Sequence, residues 1–284
     1  MQKRQIKYII PSLILAGLLI SGCSQQAAQE TVTDAAPAVT QAAIQDMPTY
    51  LVATEASYAP YEFRDEAGKV IGFDADLLEA IGEKQGFRVQ ILSRPWDGIF
   101  DTVETGERDI VAAALKITPE RLARFEVSMP YAESTRVAVV RADSGIESFA
   151  DLQGKSVATQ TATTHADVIR EFQGNVIEEN TQYLAFRDVL SGKTDSAVGE
   201  GGVMRYYVNT LAADASPGKN DLRVIEHQQP QKEYMGFMIK KGRKDLANEV
   251  NAGLQAIQAD GTYAKIHQKW FGSPASLPTA TAAP

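Results

Sequence analysis

The stretch RVQILSRPWDGIFDTVETGERDIVAAA, residues 88–114, decides the fold class. Arg88 to Leu92 is rich in β-formers and reads as a strand. Trp96, Ile99, Phe100 and Val103 then fall at i, i+3, i+4 and i+7, the period of a helix with one apolar face. Asp109 to Ala114 reads as a second, buried strand. Strand, helix and strand joined by connections of a few residues predict an α/β sheet.

The same grammar extends outward. Upstream, Thr49 to Thr54 is a strand that gives way to a loop at Glu55–Tyr58. Glu62–Arg64 and Val70–Phe73 read as a hairpin, after which Asp74 is expected to cap a helix with Leu77, Leu78 and Ile81 on its inner face and Gly86 at its end. Downstream, Arg136–Val140 and Ser156–Thr159 are strands, followed by a helix carrying Val168, Ile169 and Phe172 that Gly174 can stop. Val176–Glu178, a helix around Tyr183–Leu190 and the strand Asp195–Val198 come next. Tyr234–Lys240 reads as a strand, and Leu246, Val250, Leu254 and Ile257 share one helical face closed by Asp260-Gly261. Two lobes are expected, with no internal sequence repeat.

Composition narrows the function. The chain has 284 residues, 44% hydrophobic and 23% charged, as in ordinary globular proteins. Its net charge is −8 although residues 1–22 hold three basic residues and no acid, so the body is a poor ligand for phosphate backbones and no nucleic-acid partner is expected. Cys23 is the only cysteine, which excludes internal disulfides and thiolate clusters, and the three histidines have no metal-binding spacing. Neither a metal nor a cofactor is expected. Lys3, Arg4 and Lys7 precede an uncharged run, Tyr8 to Ile20, too short to span a bilayer core of about 20 residues, so residues 1–22 read as a signal peptide. Ile20-Ser21-Gly22-Cys23 resembles the lipobox of bacterial lipoproteins, which implies lipidation of Cys23. Residues 23–46, rich in Gln, Ala and Thr, read as a flexible stalk, and 273–284 as an uncommitted tail.

Ligands of α/β sheets bind beyond the carboxyl ends of strands. Four places there could carry chemistry. In Ile117–Arg121, Thr118 suits an N-cap and Pro119 the first helical turn; Arg121 either grips a carboxylate or pairs with Glu120 at the surface. In Thr161–His165, Thr164 and Asp167 have capping-box spacing; the spare Thr163 hydroxyl with the amides at the helix start could bind an anion, or capping is all the segment does. Glu200, after an apolar strand, is either an ammonium site or an exposed loop acid. Tyr58 and Trp96 are either aromatic walls of a cleft or core residues. Together these describe a cleft complementary to a free α-amino acid.

At these residues the chain resembles the bacterial extracellular solute-binding proteins that deliver polar amino acids to ABC importers. The resemblance runs through Ala53–Phe63, Gly72–Leu78, Ile117–Arg121, Ser128–Tyr131, Asp151–Lys155, and Asp260–Tyr263 on to Lys269–Gly272, in order. It implies an α/β, two-lobed periplasmic-binding-protein-like fold, each lobe a sheet flanked by helices, joined by a two-crossing hinge. Lobe 1 is expected over 47–134 and 230–272, and lobe 2 over 135–229. By resemblance, Arg121 binds the ligand carboxylate with Thr163 and Thr164, Glu200 takes the ammonium, and Tyr58 and Trp96 form the walls. Ala113, Ala114, Lys116, Gln160 and His165 match other pocket positions. Ala162 stands where the family usually has glycine, and Ala113 and Ala114 lack the usual hydroxyl or glycine. Glu55 resembles the acid that binds cationic side chains, but Lys116 is unusual for its position. Three arrangements stay open: a Glu55–Lys116 ion pair with a neutral ligand, a free Lys116 facing an acidic ligand, or Lys116 in solvent with Glu55 binding Lys or Arg.

The reading is a non-enzymatic, monomeric lipoprotein outside the cytoplasm, anchored in the periplasm or on the outer face of the cell membrane, with a polar amino acid and an ABC permease as partners. The rivals are a dehydratase-like enzyme using Glu200 and Lys116 as acid and base, and an amino-acid sensor module.

Overall fold

The computed structural model describes residues 47–210 and 221–272. The expected signal peptide, Cys23, the stalk and the C-terminal tail lie outside the described residues.

The first half is built on β1 (Thr49–Thr54), with β5 (Arg88–Ser93) and β6 (Ile110–Val111) parallel to it on either side. The later strand β15 (Met238–Ile239) adds antiparallel to β6, and β7 (Glu126–Val127) closes the edge, so the order is β5-β1-β6-β15-β7. Val52, Ala53, Ile110 and Val111 are fully buried, as parallel strands covered on both faces require. Helix α1 (Phe73–Gln85) turns Leu77, Leu78 and Ile81 inward against α7 (Lys244–Ala259), whose Leu246, Val250, Leu254 and Ile257 form the facing stripe. A three-stranded sheet of β2 (Ser57–Tyr58), β3 (Glu62–Arg64) and β4 (Val70–Ile71) leads into α1.

The second half has the same plan. Strand β10 (Ser156–Gln160) lies parallel to β11 (Asn175–Glu179) and β12 (Ser196–Glu200), while β9 (Arg136–Arg141) is antiparallel to β12 and to β13 (Leu222–Glu226). The order is β11-β10-β12-β9-β13, with α4 (His165–Glu171), α5 (Gln182–Leu190) and α6 (Gly201–Thr210) packed on it. The chain crosses between the halves along β8 (Ala132–Ser134) and returns along β14 (Glu233–Met235). These two strands pair antiparallel, Ser134 opposite Glu233 and Ala132 opposite Met235. The fold is therefore a two-lobed α/β one.

Five local expectations change. Asp74 does not cap α1: the helix begins at Phe73 after Gly72, at φ 138, where a Cβ would collide with the Tyr61 carbonyl. The apolar set Trp96, Ile99, Phe100, Val103 is carried mostly by turns, because Gly98 at φ 76 breaks the period, and only α2 (Asp101–Glu104) is helical. The Asp109–Ala114 strand shortens to β6 because Ala114 leaves extended geometry at φ 47. The Tyr234–Lys240 strand divides in two because β14 pairs with β8 whereas β15 pairs with β6 and β7. At the end of α4 the left-handed residue is Gln173, φ 58, rather than Gly174.

Candidate functional site

The carboxyl ends of the parallel strands of both sheets meet at one cavity. From the first half come Glu55, just beyond β1, Tyr58 on β2, Trp96 beyond β5, and Ala113, Ala114 and Lys116 beyond β6. Arg121 enters from α3 (Pro119–Arg124). From the second half come Gln160 at the end of β10, Thr163, Thr164 and His165 in the turn into α4, and Glu200 at the end of β12. Every pocket residue expected from sequence thus borders the same space. Leu115 and Ser134 complete it. Ser134 could not be read from its surroundings in sequence, since only the β8–β14 pairing brings it here.

The cavity measures about 40 Å³, comparable to one water's share of liquid volume, roughly 30 Å³. Anything the size of an amino acid enters only when the lobes part. Larger recesses of about 610 and 700 Å³ open elsewhere, beside Trp270 and beside His227, and Arg121 borders neither.

Arg121 owes its position to a local cap. The Thr118 hydroxyl accepts the Arg121 N–H at 3.2 Å and Pro119 opens the helix, as its sequence predicts. The guanidinium donates to the Lys116 carbonyl at 2.8 Å and lies 5.0 Å over the Phe100 ring. Burial lowers its pKa to about 10, which leaves it charged at neutral pH. Among the described residues no carboxylate lies within ion-pairing distance; Glu120 pairs instead with Arg124 at 3.3 Å. A half-buried cation without a counter-anion invites one.

Glu200 is only 4% exposed, not a loop acid. One carboxylate oxygen accepts the Ser134 hydroxyl at 2.7 Å and the other the Thr135 N–H at 3.1 Å. Burial raises its pKa to about 7, against the opposing pull of those hydrogen bonds and of Lys116. Tyr58 is buried and its hydroxyl pKa is raised, first by burial, so it stays protonated. Trp96 does both jobs foreseen for it, lining the cavity and packing edge-on to Phe100 at 5.6 Å.

The expected capping box at Thr164 is absent. Thr164 makes no side-chain cap, Asp167 pairs with Arg170 at 3.0 Å, and the Thr163 hydroxyl donates to the Gln160 carbonyl at 2.8 Å. That bond tightens a turn in which Ala162 holds φ 54. Ala56, at φ 58, and Ala114 are likewise left-handed without being glycine, so three loops at this cleft carry a conformation that costs a non-glycine residue roughly 1–2 kcal/mol. His165 is buried and kept neutral, first by burial and then by Lys116, Arg136 and Arg121; its Nδ1 has no hydrogen-bond partner among the described residues.

The Glu55–Lys116 ion pair does not form, and Lys116 does not point into solvent. Lys116 is 7% exposed and pairs with Glu233 of β14 at 2.7 Å. The same carboxylate takes Arg136 at 3.0 Å, so one acid on a hinge strand serves two buried cations. Burial is the main force lowering the Lys116 pKa, and Arg136 adds to it. Glu55 accepts Gln160 Nε2 at 2.9 Å on both oxygens and the Ser57 hydroxyl at 2.8 Å. Burial raises its pKa. Lys116 and Glu55 fail to meet because each has a nearer partner contributed from far along the chain.

Comparisons with known proteins agree with the two-lobed fold. The sequence profile of the bacterial extracellular solute-binding proteins, family 3, matches residues 50–273. A protein of Neisseria gonorrhoeae named "Probable histidine-binding protein" is 28% identical over 93% of this chain and 95% of its own length. Among solved structures, the arginine-, lysine-, histidine-binding protein ArtJ of Geobacillus stearothermophilus superposes with a TM-score of 0.75 at 30% identity, covering 82% of this chain and 99% of that one. An ancestral amino acid-binding protein described as a precursor of cyclohexadienyl dehydratase is 35% identical with a TM-score of 0.71, over 78% of this chain and 95% of its own.

Proposed function

The chain belongs to the bacterial extracellular solute-binding proteins, family 3, and on that premise we propose that its interlobe cleft captures a polar α-amino acid as a zwitterion and hands it to an ABC importer. The observation that carries the reading is Arg121, a half-buried guanidinium facing the cavity with no carboxylate partner among the described residues. A ligand α-carboxylate supplies that partner and accepts the charge-assisted hydrogen bonds a guanidinium fork offers. The Thr164 hydroxyl, His165 and, once it leaves the Gln160 carbonyl, the Thr163 hydroxyl stand on the opposite lobe to complete the anion site, and Glu200 faces the same space to receive the ammonium. Tyr58 and Trp96 cover the carbon skeleton. These contacts come from both halves, so they are complete only when the lobes shut, and closure is what a permease can read. Lobe 1 is taken as 47–134 with 230–272 and lobe 2 as 135–229.

The cleft binds without turning its ligand over. The dehydratase-like alternative gains some weight from the buried Glu200 beside Lys116 and from the ancestral neighbour. A thermal-shift screen of the twenty amino acids and L-cystine, with mass spectrometry of each mixture, separates the two. Binding raises the melting temperature, and a new product from any of these ligands overturns the transport reading. Arg121→Ala is expected to abolish the shift while its own melt stays cooperative; retained affinity in calorimetry refutes the clamp.

The protein acts outside the cytoplasm, as its family does. Cleavage before Cys23 and acylation of that thiol would tether it, as a monomer, by a flexible stalk. Metabolic labelling with a radioactive fatty acid tests the anchor: wild type is expected to carry label in the membrane fraction, and Cys23→Ala to lose it. An unlabelled wild type disposes of the anchor and leaves the binding cleft untouched.

A further inference from the structure

We propose that Asp74 is a positioning residue of the cleft, holding the Ala114 N–H and through it the wall that aims Arg121 at a ligand carboxylate. The inference rests on the carboxylate-clamp reading.

Asp74 is 1% exposed and sits in the first turn of α1, yet it makes no cap for that helix. Its backbone N–H is anchored on the Tyr61 carbonyl at 3.0 Å, and its Oδ2 accepts the Ala114 N–H at 2.9 Å, across 40 residues of sequence. Tyr131 is fully buried as well, and neither its hydroxyl nor Asp74 Oδ1 has a hydrogen-bond partner among the described residues. A carboxylate in so dry a place is expensive to keep, and its one backbone acceptor contact falls on a residue that borders the ligand cavity.

Ala114 needs such a hold. At φ 47 it occupies the left-handed region, which glycine visits freely and alanine does not. Beyond it the wall is pinned to the hinge strand: the Gly236 N–H donates to the Leu115 carbonyl at 2.9 Å and the Ile117 N–H to the Tyr234 carbonyl at 2.8 Å. Between those pins the Lys116 carbonyl turns to accept the Arg121 guanidinium at 2.8 Å. The direction of that carbonyl depends on the turn at Ala114. Asp74 therefore acts on the ligand through Ala114, Lys116 and Arg121 and touches none of it.

The test is a double-mutant cycle by isothermal titration, with the twenty amino acids and L-cystine as probes, on wild type, Asp74→Asn, Ala114→Gly and the pair. Asparagine keeps the shape and removes the charge, so in titrations at about pH 8.5, where Asp74 is ionised, Asp74→Asn is expected to weaken binding about tenfold, the worth of a charge-assisted hydrogen bond. In the Ala114→Gly background, where the left-handed turn is free, the same change is expected to cost less than about threefold. A purely structural acid would lower stability without this coupling. Unchanged affinity in Asp74→Asn, or an equal loss in both backgrounds, overturns the proposal. Should Asp74→Asn alone fail to fold, the double variant is expected to regain a cooperative melt and binding, and its failure to do so also overturns it. A wild type that binds none of the probes sinks the clamp reading first, and this inference with it.

Discussion

Glu200 shows how one residue can tie binding to pH. In the folded protein its pKa stands near 7, above the ordinary carboxylate value, because burial penalises the charged form. An ammonium needs the charged form, so as pH falls through about 7 the affinity is expected to fall, approaching tenfold per unit below that point. Calorimetric titrations from pH 5.5 to 8.5 check this, and Glu200→Gln should flatten most of the slope. For the unliganded protein the sign reverses. Between about 4.5 and 7 the unfolded chain has already released this proton while the folded one keeps it, so stability is lost as pH rises through that window. Asp74, raised to about 7 by burial as well, acts in the same direction. A melting temperature that climbed across the window would contradict both. His165 takes no part, since its surroundings hold it neutral.

At the scale of elements, what the sequence made legible was local. The Thr118-Pro119 start of α3, the 3.6-residue stripe of α7 and the strands β1 and β10 follow from neighbours within a few positions, and the structure has those elements there. Expectations failed where a distant partner intervened. Tyr234–Lys240 is apolar enough for one strand, but its halves are claimed by different sheets. Asp74 looks like a helix cap until Ala114 takes its carboxylate. The candidate site divides the same way. Residue types after strand ends were readable, because an α/β sheet dictates where its loops gather. The partner of Lys116 was not, because Glu233 lies 117 positions away and reaches it only through the hinge.

Over the whole molecule, the halves are already fastened across the cleft. Gln160 of the second half donates to both oxygens of Glu55 of the first, and the Tyr207 hydroxyl donates to the Ser57 carbonyl at 3.1 Å. The closed arrangement thus has contacts of its own, and a ligand competes with them for Glu55 before it gains any. Gln160→Ala is expected to loosen the unliganded protein, raising its radius of gyration in X-ray scattering by on the order of 1 Å from about 17 Å. An identical scattering curve would show that the Gln160–Glu55 contact does not set the resting balance.

The out-and-back path along β8 and β14 has a mechanical result. Both ends of the described body, the strand at Thr49 and the last helix, α8 (Thr262–Phe271), lie with the sheet next to Arg121, and the other sheet is strung between the two crossings like a bead on a doubled thread. On the anchor proposed above, a leash fastened ahead of residue 47 tugs on one jaw only, so parting the cleft moves the other without straining the tether.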